Sequence, residues 1–186
     1  FGRHQAPVIR SSEMNSGEQS FVMMAIIPNK KGQPLLVEWQ VASRQSDGSY
    51  GLESFKTLVE RLKLKAGAQP NPGNESIPQE LQQSLPEAVR LMKKHMVQKQ
   101  KDFDASLQEK LEKTMELLKT LQERQFEQLE LLLEKQLDTV KDSKRKKRKQ
   151  EIDGVFDSYR NWVENTLSTE PEPYIQVLAA MCPMNA

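Results

Sequence analysis

The most concentrated chemistry in this sequence is a run of six basic residues, Lys144, Arg145, Lys146, Lys147, Arg148 and Lys149; with Lys141 it puts seven cations in nine positions. A cluster of that density could neutralise about six phosphates and so give strong, salt-dependent binding to duplex DNA. It also fits the simple pattern of a nuclear-targeting signal. A third reading is structural: the run follows the acidic stretch EQLELLLEKQLD and could be a solvated, intramolecularly paired helix segment. No aromatic residue interleaves with the cations, so stacking of single-stranded bases is not indicated.

Little else has the makings of a reactive site. The only histidines, His4 and His95, have no Cys or His at ligand spacing, which argues against zinc. Cys182 lies in an apolar run, where a thiol is ordinarily buried and inert. The glycines are scattered and none precedes a Lys-Ser/Thr pair, so there is no phosphate-cradling loop. The sequence leads one to expect neither catalysis nor a cofactor. No run approaches the ~20 apolar residues of a membrane span. A single cysteine suits a reducing, cytoplasmic setting. The opening FGRHQAPVIR has neither Met nor an apolar signal core and reads as cut from a longer chain.

The elements that must position the basic run are legible from periodicity. Apolar residues make up 37% of the 186 and charged residues 28%, short of an ordinary globular core and suited to long solvated helices. With 27 basic and 26 acidic residues the net charge is +1, so any attraction to nucleic acid must be local. Residues 1–66 read as a polar leading segment to about residue 19, then a β-hairpin and a short helix. The runs Phe21–Ile27 and Leu35–Val41 flank the turn PNKKGQP. Leu52, Phe55, Leu58, Val59 and Leu62 then take helical spacing over residues 53–64. Residues 67–79, rich in Pro and Gly, read as a linker.

Residues 80–149 carry apolar positions at steps of three, four and seven, the pattern of a coiled coil or helical hairpin ending in the basic run. A single rod would carry the chain about 85 Å away at 1.5 Å per residue. A reversal is therefore expected, near residues 118–126. Residues 150–186 read as an amphipathic helix and a closing strand. Ile152, Phe156, Tyr159 and Trp162 share one stripe and, with Trp39 on the sheet, are assigned to the structural core. The expected fold is α+β: a small antiparallel sheet, made of the N-terminal hairpin plus the C-terminal strand, with a long helical coiled-coil projection.

The closing segment RKQEIDGVFDSYRNWVENTLSTEPEPYIQVLAAM resembles the extreme C-terminus of large bacterial helicases of the Snf2 superfamily. The likeness rests on Ile152, Phe156, Tyr159, Trp162 and Thr166, then Pro173, Tyr174, Ile175, Gln176 and Val177, and covers about 35 residues. It implies a parent that is a DNA-dependent ATPase and, since none of the ATPase motifs lies in this chain, a non-catalytic accessory module. Its partners would be the ATPase core and duplex DNA through the basic run, with no membrane. The alternative is a coiled-coil dimerisation or scaffolding domain, whose partner is a second coiled-coil chain and not nucleic acid.

Overall fold

The computed structural model describes residues 6–64, 69–70, 78–134 and 138–184, with backbone alone for 69–70 and 138–141. Its elements are β1 (Val8–Ser11), β2 (Gln19–Pro28), β3 (Pro34–Arg44), β4 (Tyr50–Glu53), α1 (Phe55–Arg61), β5 (Gln69–Pro70), α2 (Gln79–Leu133), α3 (Asp138–Thr166) and β6 (Tyr174–Pro183). They divide into two compact units. One holds the sheet, α1 and residues 79–100 of α2; the other holds residues 29–33 and 101–169.

In the first unit the strand order is β4-β3-β2-β6-β1-β5. The expected hairpin forms, β2 pairing antiparallel with β3 from Gln19↔Arg44 to Pro28↔Pro34. Its turn works because Gly32 takes φ 77°, a left-handed conformation that costs glycine little. The C-terminal strand β6 lies antiparallel along the other side of β2, as the apolar run Tyr174–Met181 suggested. The sheet is not purely antiparallel, however. Residues 8–11, expected in a polar leading segment, form β1 and run parallel to β6, with Ile9 opposite Met181. Within the expected linker, Gln69–Pro70 adds a two-residue edge, β5, to β1; positions 71–77 of the linker are outside the described residues.

Each face of the sheet has its own cover. Phe21, Met23, Ala25 and Ile27 point to one side, where Leu81, Ala88, Met92 and Met96 of α2 close over them. That four-residue period on a helix against the two-residue period of a strand is how one stripe meets one sheet face. On the other face α1 sets Leu58 and Leu62 against Val22, Val41 and Met181. Ser54 caps α1 by accepting from the Thr57 N–H. A polar cluster fixes its far end: Arg61 reaches Glu53 at 2.6 Å and Glu18 at 3.6 Å, and Ser20 and Ser43 share a hydrogen bond of 2.9 Å beneath.

Cys182 is buried, and desolvation pushes its thiol up from the usual cysteine range. The protein should therefore be unreactive to a thiol reagent at neutral pH until it unfolds. Met92 has no exposed surface, so Met92→Ala should cost about 2–5 kcal/mol by lost contact and cavity formation, read from urea denaturation.

Candidate functional site

The second unit is a helical hairpin. Residues 101–133 of α2 run antiparallel to α3, as the cross-contacts show: Thr169 to Asp104 at 2.9 Å, Gln122 to Asp153 at 2.6 Å, and Arg145 to Glu130 at 3.0 Å. The chain reverses between Leu133 and Asp138, beyond the 118–126 expected; positions 135–137 lie outside the described residues. The basic run consequently falls in the first half of α3 and not at the end of the preceding helix. The seam is built from Leu107, Leu129 and Leu133 of α2 and Val163 of α3.

One polar layer interrupts the seam. Gln122, 8% exposed, donates to Asp153 and accepts from the Arg160 guanidinium. A buried amide with both ends engaged admits one register, since a slip would leave it unpaired. At the other end the β2–β3 turn caps α3. Asn29, buried, accepts from the N–H groups of Lys31 and Gln33 and donates to the Thr166 carbonyl. The Lys30 N–H donates to the Ser168 carbonyl. These bonds occupy carbonyls that a helix C-terminus otherwise leaves open.

The structure divides the basic run. Arg145 and Lys149 both reach Glu130, at 2.8 and 3.3 Å, and Lys149 also sits 5.6 Å from the centre of the Phe126 ring. Arg148 pairs with Glu151 at 2.8 Å. Lys144, Lys146 and Lys147 are exposed, and the side chain of Lys141 lies outside the described residues. The Arg145 hydrogen bond, with Lys149 beside it, holds the Glu130 carboxyl below the ordinary glutamate range.

The expected core aromatics need correction. Ile152 and Phe156 are half-buried towards α2, with Val163 fully buried. Tyr159 and Trp162 are 56% and 55% exposed, as is Val155 at 53%. At about 100° per residue, positions 155, 159 and 162 centre roughly 70° round the helix from positions 152, 156 and 163, and the second set is the one that is sheltered. The stripe is wide enough for two faces and α2 covers one. Lys31 lies over the Trp162 ring at 5.1 Å. Trp39 is also 55% exposed. It shares a sheet face with Val41, but α1 ends its cover there. The register then leaves Trp39 beside Met24, and Ile26 between Val37 and Tyr174, as an uncharged, open apolar end of the sheet.

Among the described residues no group of three or more His, Cys, Asp or Glu side chains could hold a metal, and no helix is long and apolar enough to cross a membrane. What the second unit presents is a set of exposed cations on α3 and, on the same helix, an open depression of about 670 Å³, floored by Gly154 and Ser158 and walled by Val155, Tyr159 and Trp162. The wall was visible in the sequence as part of the aromatic stripe. Its exposure was not, because burial depends on how many helices share the stripe. No family model, curated protein or solved structure matches the chain.

Glu130 gives the pairing of acidic stretch and basic run a pH signature. A carboxyl whose folded proton affinity is lowered stabilises the fold above its ordinary range, near about 4.3. That contribution is lost as pH falls through the lower folded value. Glu130→Gln should thus lower the melting temperature at neutral pH, and the gap to the parent should close once the medium is acid enough to protonate Glu130.

Proposed function

We propose that this chain is a non-catalytic binding module, an accessory region of a Snf2-type DNA-dependent ATPase, which contacts duplex DNA through the exposed cations of α3. The observation that carries the reading is the solvent exposure of Lys144, Lys146, Lys147 and Arg148 on one short helical stretch, against a chain whose net charge is close to zero. Cations spread round a helix this way suit the phosphates of a passing backbone better than base edges, so binding would be positional and indifferent to sequence. The similarity of Ile152–Val177 to the C-termini of bacterial Snf2 helicases supports the same assignment. Arg145 and Lys149 would serve the fold by tying α3 to Glu130, and only the remainder of the run would face DNA.

The alternative, a dimerising coiled coil, would need the long stripe of α2 for a second chain. That stripe packs on α3 of the same molecule, which favours the DNA reading over a two-chain coil built on the same seam.

Titration of labelled duplex DNA against salt tests the reading, with mass measured by light scattering in the same buffers. A monomer binding with a micromolar-range dissociation constant is expected, with a log–log salt slope of about −0.9 per phosphate neutralised. Replacing Lys144, Lys146 and Lys147 with Gln should shallow that slope by about 0.9 per lost contact while leaving the helical circular dichroism unchanged. An unchanged slope, or no binding of the parent chain at low salt, would remove DNA as the partner.

A further inference from the structure

The helical hairpin has two flanks of opposite character. At about 100° per residue, Leu117 and Leu121 stand roughly a quarter turn from the seam on α2. Val155, Tyr159 and Trp162 stand about a quarter turn from it on α3, in the same rotational sense. Because the helices are antiparallel, equal-sense rotations from a shared seam lead to the same flank. The Gln122–Asp153 and Phe126–Lys149 contacts then set Leu121 level with Gly154 and Leu117 level with Ser158. The result is one apolar surface, and all five residues on it are at least 40% exposed.

Charge is partitioned with it. Glu112, Glu123 and Glu130 of α2 and Asp153, Asp157 and Glu164 of α3 project from the opposite flank. The apolar flank is bordered by Lys110, Arg124, Lys144 and Arg148. Among the described residues its one carboxylate is Glu151, held by Arg148 at 2.8 Å. α3 offers apolar residues at i, i+4 and i+7 (Val155, Tyr159 and Trp162) and α2 at i and i+4 (Leu117 and Leu121), a surface of the kind that receives a third helix. Small residues at Gly154 and Ser158, with open space where a glycine Cβ would stand, leave the depression beside α3 able to admit a large side chain.

From this juxtaposition we infer that the flank formed by Leu117, Leu121, Val155, Tyr159 and Trp162 docks an amphipathic, acidic helix of a partner protein. Its apolar stripe would pack on the aromatic surface and its carboxylates would meet Lys110, Arg124 and Lys144. A second copy of this hairpin is a poor occupant, because its own flank would bring cations against cations. Aromatic anchors in a depression, rimmed by charge, are where most of the binding energy of such a contact resides. The inference goes beyond the DNA contact: Lys144 and Arg148 border both surfaces, but Tyr159 and Trp162 belong to this one alone, so their substitution tests it separately.

Calorimetric titration of the full chain tests it, with a synthetic Leu/Ala/Glu amphipathic helix of about 20 residues as probe and its Glu→Lys counterpart as control. The acidic peptide should bind, and the basic one at least about tenfold more weakly. Tyr159→Ala and Trp162→Ala, both at exposed positions, should each weaken the acidic peptide about tenfold or more with helicity intact. Trp39→Ala, on the separate sheet surface, should change nothing. Leu117→Ala tests the α2 side of the same groove and should also weaken binding. Absence of acidic-peptide binding, equal affinity for both peptides, or sensitivity to Trp39→Ala but not Trp162→Ala would overturn the proposal. So would binding of phosphatidylglycerol vesicles in place of peptide, or a dimer by light scattering that Trp162→Ala dissolves.

Discussion

Two antiparallel helices share one seam, and a seam hides only about a third of each helix. Most of what distinguishes the second unit follows from that limit. Sequence positions that look equally apolar receive different fates, because α2 can shelter Ile152, Phe156 and Val163 or Val155, Tyr159 and Trp162, but not both sets. The set it shelters is fixed by polar contacts more than by greasiness. Gln122 engages Asp153 and Arg160, and rotating α3 to bury Trp162 would tear both contacts out of a half-dry interface. Asn29 holds the C-terminal end of α3 by the Thr166 carbonyl, so the helix is fixed in phase near both its middle and its end. Specificity of packing is obtained here at the cost of leaving two large aromatic rings in water.

The same seam sorts the charges. Arg145 and Lys149 fall on its edge, where Glu130 waits on the facing helix, and are drawn out of the basic run into the fold. Exposed ion pairs of this kind contribute little singly. Two cations on one carboxylate nonetheless favour one alignment of the helices over its neighbours, since a slip of one turn would separate all three. The run of six is therefore two populations that composition cannot separate: residues facing α2, and residues facing outward. Any partner of α3 meets only the second.

Much of the first unit was legible in the sequence, for local reasons. Asn29 and Gly32 in a short polar turn between two apolar runs specify a hairpin, and the apolar C-terminal segment calls for a sheet to join; both appear as expected. The parallel strand β1 was not legible, because four residues, Val8–Ser11, carry too little pattern and their pairing with β6 spans nearly the whole chain. Trp39 was misjudged for a related reason. Alternation reports which face a residue takes, yet the short α1 covers only the end of that face around Val41. In the hairpin, the period gave the helices but not the point of reversal, since a three–four pattern continues unchanged through either choice. The informative signal was charge. An acidic patch centred on Glu130 and a basic patch centred on Arg145 can meet only if the chain folds back midway between them, close to where α2 ends and α3 begins.

The two exposed apolar surfaces are not equivalent, and the difference is electrostatic. Met24, Ile26, Val37, Trp39 and Tyr174 lie on an open sheet face with no charged side chain among them; such a surface discriminates by shape alone and would accept any flat apolar partner equally. The flank of the hairpin borders its apolar residues with Lys110, Arg124 and Lys144 and, apart from the Glu151 held by Arg148, consigns its carboxylates to the far side. A cationic rim repels other basic or self-like surfaces at long range and adds little once contact is made. Selection there acts before the apolar residues touch, which is what an exposed Tyr159–Trp162 pair requires if it is to remain open to one class of partner and closed to the rest.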